Sequence, residues 1–213
     1  MPRFGAPLVA CSLAILLSGC LSSGYAYFNR ESPDGTRLYF KLPSTWKTFG
    51  STQAIEASNG KLTESQISQI ENGEWLLFFA GTRRISLRQI GASGSRVPEG
   101  EVIARKLSPS ERDTFSLAAM RSFMLGADPL TTAGMHVLSY AESTGSGGIR
   151  ESRLVVDLGG AGSVVTTFGQ VVAVDPQTDW VFAIGVGCRA SCWGPSSGTI
   201  TQILSSWTVK EQR

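Results

Sequence analysis

Four apolar runs in the C-terminal half decide the fold: Met135 to Ser143 (MHVLSYAES), Ile149 to Leu158 (IRESRLVVDL), Ser163 to Val174 (SVVTTFGQVVAV) and Trp180 to Gly187 (WVFAIGVG). Their length and their β-branched and aromatic content read as strands. Between them lie Gly145-Ser146-Gly147-Gly148, Gly159-Gly160-Ala161-Gly162 and Asp175-Pro176-Gln177-Thr178-Asp179. A parallel return needs about a dozen residues or more, so these short connectors require antiparallel neighbours, a meander. The chain then closes with a helix from about Ser197 to Trp207. There Ile200, Ile203, Leu204 and Trp207 fall on one face at helical spacing.

Upstream, Asp34-Gly35 is a turn signal. Thr36 to Leu42 alternates Leu38, Phe40 and Leu42 against Arg37, Tyr39 and Lys41, a half-buried strand that Pro43 ends. Thr63 to Asn72 reads as a short helix with a capping box at Thr63 and Gln66. Trp75 to Ala80 is continuously apolar, as expected of a central strand buried on both faces. Glu101 to Leu107 is a further strand. Ser108-Pro109 with Glu111 opens a helix that Gly126 ends, with Phe115, Ala118, Ala119, Phe123 and Met124 on its buried face. The core is expected around Leu38, Phe40, Leu77, Phe79, Phe115, Phe123, Val155, Phe168, Ile184, Ile203 and Trp207. The sum is an α+β domain, an antiparallel sheet flanked by helices.

The N-terminus has a different character. Arg3 is its one charge, Leu8 to Leu17 is almost wholly apolar, and Leu17-Ser18-Gly19-Cys20 closes the segment with small residues. This is a secretory signal in layout, too short for a permanent span of roughly 20 residues. Leu17-Ser18-Gly19-Cys20 resembles the bacterial lipobox at all four positions. That resemblance implies a diacylglyceryl group on the Cys20 sulfur, cleavage before Cys20, further acylation (palmitate is the usual label) and anchoring on the extracytoplasmic face of a membrane. The expected organisation is a signal peptide over 1–19, lipidated Cys20 with a tether over 20–33, and one domain over 34–213.

Removal of residues 1–19 leaves 194 of the 213 residues, enough for one domain with a substantial core. Of 19 basic residues Arg3 leaves with the signal, so 18 basic and 17 acidic residues remain, a net charge of +1. That balance points to no nucleic-acid partner. Two of the four cysteines, Cys11 and Cys20, belong to the signal and the anchor. Cys188 and Cys192 remain, and in an oxidising compartment such a close pair is expected to form a disulfide. Zinc is the alternative, but it needs about four ligands and the single histidine, His136, is far away in sequence.

No cofactor, metal site or catalytic group is expected. His136 could act as a base with Asp128 or Asp157, but it lies in a strand and no nucleophile elbow accompanies it. Gly159-Gly160-Ala161-Gly162 joins two strands and opens no helix, so it lacks the setting of a phosphate cradle. Arg83, Arg84, Arg88 and Arg96 form a basic cluster that could meet anionic headgroups, or simply be a solvated edge. Trp193 follows Cys192 in an expected loop. It could be an exposed contact for a partner or apolar ligand, or pack over the sheet end.

Leu38-Tyr39-Phe40-Lys41-Leu42-Pro43-Ser44-Thr45-Trp46, Asp179-Trp180-Val181-Phe182-Ala183-Ile184 and Ile203-Leu204-Ser205-Ser206-Trp207 together resemble the opening, last strand and terminal helix of the PsbP/Mog-type family. Bacterial lipoproteins of the LpqN/LpqT type carry such a domain behind a lipobox. The resemblance spans most of residues 34–209. It implies an α/β/α sandwich that acts by binding rather than catalysis: a scaffold for an unknown envelope protein, or alternatively a carrier of a lipid-like or other apolar small molecule. A hydrolase is the third and weakest reading.

Overall fold

The computed structural model describes residues 24–57, 64, 68, 74–90, 94–159 and 164–211. The signal, Cys20, nearly all of the helix expected over Thr63–Asn72, and residues 160–162 of the glycine connector lie outside the described residues.

The four C-terminal runs are strands: β6 (Met135–Thr144), β7 (Arg150–Leu158), β8 (Thr166–Val174) and β9 (Trp180–Arg189). They pair antiparallel in sequence order, as the short connectors require. Beyond β9 the sheet continues through β5 (Glu99–Lys106), β4 (Trp75–Ala80) and β3 (Lys47–Gly50), giving seven strands in the order β3-β4-β5-β9-β8-β7-β6. The strand buried on both faces is β9, covered from Trp180 to Cys188. β4 instead lies one strand from the edge, and its Trp75, Leu76 and Phe78 stay partly exposed. The expectation for Trp75–Ala80 is corrected accordingly: a continuous apolar run reports burial, not the position of the strand in the sheet.

A second sheet of three strands, in the order β1-β2-β10, packs beside the large one. It comprises β1 (Tyr25–Glu31), β2 (Arg37–Pro43) and β10 (Thr208–Lys210). Residues 25–31, expected as tether, pair with β2 along their whole length, and Phe28 stacks on Phe40 with ring centroids 5.0 Å apart. The folded domain therefore begins at Tyr25 rather than at residue 34. Ser51–Ala57 forms α1 against β3 and β4.

The expected helix from Ser108 to Gly126 is broken into α2 (Pro109–Thr114) and α3 (Leu117–Ser122). The Ser108 box is present: Ser108 Oγ accepts from the Glu111 amide, and the Glu111 carboxylate accepts from the Ser108 amide. The break has the same chemistry. Ser116 Oγ accepts from the Ala119 amide and caps a second helix in place of continuing the first. Met120, not one of the expected face residues, is the fully buried side chain of α3, with Phe115, Phe123 and Met124 half-buried around it.

The last helix, α4 (Ala190–Ser206), starts seven residues before Ser197 and runs through Pro195. It lays Ile200 and Ile203 on the sheet face that carries Phe182, Ile184 and Val186. Trp207 follows it at 2 % exposure against Phe40, and burial of each such large side chain is worth about 1.5–3 kcal/mol. The large sheet thus lies between α4 with the small sheet on one face and α3 on the other, the α+β sandwich expected. Four core assignments change, Phe115 and Phe123 among them, since both are half-buried. Leu154 and Val156 are buried while Val155 between them is half-buried, and Phe168 is half-buried as well. Three apolar residues in a row cannot report which face is the drier when both are covered.

Candidate functional site

A concavity on the α3 face of the sheet follows from missing side chains. On β9 the positions facing α3 are Val181, Ala183, Gly185 and Gly187, so bulk falls away toward the end of the strand. Glycine inside a strand often marks a close approach or a ligand. The register sets Glu101 beside Gly185 and Phe78 beside Glu101. It sets Glu99 and Phe168 on either side of Gly187. The Phe168 ring leans across both glycines: a Cβ at Gly185 would lie 2.4 Å from its Cζ, and one at Gly187 would lie 2.9 Å from its Cδ2.

Beside this ring is a cavity of about 470 Å³, bounded by Phe78, Ile90, Leu158, Val164 and Phe168 with Glu99 and Glu101. That volume suits a small molecule, and the walls are mostly apolar, as ligand sites are. Among the described lining residues the two ionisable side chains are both carboxylic acids. Glu99 is 7 % exposed. Burial pushes the Glu101 carboxyl above the ordinary carboxylate range. The nearby cation, Arg189, donates from its Nε to the Gly94 carbonyl, and its backbone amide donates to the Ser95 carbonyl at 2.8 Å. Arg189 thus braces the rim segment rather than facing the acids.

Cys188 also lines this cavity and is bonded to Cys192, with Cα atoms 5.9 Å apart. Cys192 sits in the first turns of α4, not in a loop, so the disulfide ties helix to strand. Trp193 follows inside α4. Its ring lies over Gly169, where a Cβ would be 3.1 Å from Cη2, and it is half-buried against the core. The loop expected for Trp193 is thereby corrected, and packing over the sheet is what its indole does.

Arg83, Arg84 and Arg88 are exposed along the segment after β4. Arg83 Nε donates to the Thr45 carbonyl at 3.3 Å, and the neighbouring Ser44 amide donates to the Gly24 carbonyl at 2.9 Å. The start of the basic segment therefore lies next to the start of β1. His136 is exposed and pairs across strands with Asp157, which accepts from Thr167 Oγ1 at 2.6 Å. Asp128 is held by Arg121. No group of three or more metal-ligating residues exists among the described residues.

Sequence reading missed Glu99, Glu101 and the glycine pair of β9. The available signal was Glu99-Gly100-Glu101 opening an internal strand together with Gly185-Val186-Gly187, but nothing local says that these segments meet.

No family model matches the sequence, and no curated protein matches it. Solved structures similar in fold include the following three. The cyanobacterial PsbP protein (CyanoP) of Synechocystis aligns at TM-score 0.52 and 14% identity over 96% of this chain and 100% of that one. LpqN of Mycobacterium tuberculosis, described as involved in cell envelope biogenesis, aligns at 0.47 and 11% over 87% and 91%. The Ran-binding protein Mog1p of Saccharomyces cerevisiae aligns at 0.45 and 10% over 88% and 97%. At these identities the likeness concerns the fold alone, and CyanoP carries it: the chain has the PsbP/Mog-type fold.

Proposed function

We propose that this chain is a non-enzymatic, envelope-anchored lipoprotein whose domain binds an amphiphilic small molecule in the cavity between Phe78, Leu158 and Phe168. The observation that carries this reading is the cavity itself, apolar, of about 470 Å³, and fitted with a few polar groups. It favours the carrier over the protein scaffold among the binding roles open to such a domain.

The anchor gives the cavity a setting. With β1 starting at Tyr25, only Leu21 to Gly24 separate Cys20 from the folded domain. At about 3.5 Å per residue, that chain reaches no more than about 15 Å. The membrane then lies against the end of the domain that carries Gly24, Thr45 and Arg83. Strand register puts the cavity at the same end, since Lys47, Ala80, Glu99 and Gly187 follow one another across β3, β4, β5 and β9. Arg83 and Arg84 then meet anionic headgroups, at about 1 kcal/mol each near such a surface. A ligand taken from the membrane has a short path.

Native mass spectrometry of the full chain released from its own membrane tests this reading. The expected result is one amphiphile per chain in the wild type and its loss in Thr166→Trp, which places an indole in the cavity that Thr166 lines from the start of β8. A wild-type chain that carries nothing, and that takes up no alkyl probe, overturns it.

A further inference from the structure

The two acids in the cavity restrict what it can hold. An apolar pocket for a fatty acid or an anionic lipid would place a basic or hydrogen-bond-donating group where the head sits. Here the ionisable side chains among the described lining residues are Glu99 and Glu101, and Arg189 is turned to the Gly94 carbonyl. Glu101 is a strand residue whose side chain stands on the concave face between Phe78 and Gly185. No hydrogen bond or ion pair joins it to another described residue. An interior β5 position whose cross-strand neighbours are Phe78 and Gly185 would ordinarily hold an apolar side chain. A carboxylate there is costly unless a counter-charge arrives. Its raised proton affinity, caused by burial alone, has the same origin.

We infer that the cavity selects an amphiphile with an ammonium head, whose charge meets the Glu101 carboxylate while its chain lies against Phe78, Leu158 and Phe168. The inference rests on the amphiphile reading above and adds the chemistry of the head. The register sets Glu101 beside Phe78, so the acid stands next to the apolar lining rather than among other polar side chains. An ammonium head would bring it a counter-charge, whereas an anionic head would meet a carboxyl of its own sign.

The test uses the full chain in phosphatidylcholine nanodiscs, with empty discs subtracted. Four probes share one chain length: dodecylamine, its N-acetyl amide, dodecanol and dodecanoate. The amine is expected to bind about ten- to a hundredfold more tightly than dodecanol or the amide, and dodecanoate most weakly. Glu101→Gln should bring the amine to the level of dodecanol and leave dodecanol unchanged. The amide makes the same comparison without altering the protein. Equal binding of amine, amide and dodecanol, all abolished by Thr166→Trp, would overturn the ammonium head and leave the amphiphile site standing. Binding of no probe, or binding that Thr166→Trp leaves intact, would overturn both.

Discussion

The side-chain amide of Gln170 donates to the carbonyl of Arg121 at 2.7 Å and to that of Met120 at 3.2 Å. Gln170 is 1 % exposed at the middle of β8, and the two carbonyls belong to the last turn of α3. A six-residue helix has almost no intrinsic stability, so α3 persists because the sheet caps it from below. Met120 and the half-buried Met124, which leans over Gly185, then hold the helix beside the cavity.

Gln170→Leu should therefore destabilise the domain by about 1–3 kcal/mol, since it removes the donor from two buried carbonyls while keeping the volume. Urea unfolding measures the loss, and faster amide exchange over residues 117–125 than over β9 locates it. Uniform acceleration of exchange would show that α3 is not separately dependent on Gln170.

The Glu111 carboxylate is held by the Arg105 guanidinium, with contacts of 2.6 and 3.0 Å, and by the Ser108 amide at 2.8 Å. Arg105 is the main cause of a pKa lowered from 4.5 to about 2. A carboxyl depressed in the folded state adds stability that is complete above its unfolded value and disappears as pH falls through the folded one. The contribution should thus fade between about pH 4.5 and pH 2. Glu111 is 40 % exposed, so solvent screening reduces it below what the shift alone suggests. Glu111→Gln should lower stability above about pH 4.5, where the contribution is complete, and match the wild type near pH 2, so that the acid limb flattens in that window. An unchanged acid limb would argue against the Arg105 clasp.

The Cys188–Cys192 bond closes a short loop, for which chain entropy accounts for about 2 kcal/mol. Its position suggests a more local effect. Pro195 deprives α4 of one backbone donor in its second turn, and the bond fastens the turn before it to β9. The double variant Cys188→Ser, Cys192→Ser should lose about 2 kcal/mol in thermal unfolding, with the loss of amide protection confined to residues 190–196. Cys188 also borders the cavity, so ligand affinity should fall with the bond. Alkylation without reductant of protein from its native compartment should find both thiols blocked.

What was legible in the sequence follows the range of each signal. The meander could be read because period-two alternation and turn residues are local, and each connector is too short for any other topology. The Ser108–Glu111 box was legible for the same reason. Tyr25–Glu31 was not, because it is a strand only through its pairing with β2 and the Phe28–Phe40 stack. Pro195 disguised the start of α4, whose first turns are tied to β9 by the disulfide. The cavity was the least legible. It is made where side chains are absent, at Gly185 and Gly187, and its acids come from a strand some eighty residues earlier, brought alongside by register alone.

The final prediction concerns orientation at the membrane. Cys20→Ala should abolish palmitate labelling and release the chain, and labelling that persists in that variant removes the anchor. If the anchor holds, the four residues before Tyr25 keep the Gly24 end of the domain within about 15 Å of the surface. Thr45 and Gln177 are both exposed, and they lie at opposite ends of the large sheet. The ends are separated by roughly the length of β9, at about 3.4 Å per residue. A spin label at Thr45→Cys should be broadened by a paramagnetic lipid headgroup, and one at Gln177→Cys should not. Arg83→Glu with Arg84→Glu should weaken the Thr45 effect in anionic bilayers and leave it unchanged in neutral ones, because only the charge term is removed. Equal broadening at both positions would mean that the domain tumbles freely on its tether. The cavity would then have no fixed relation to the membrane, and a ligand would have to reach it through water.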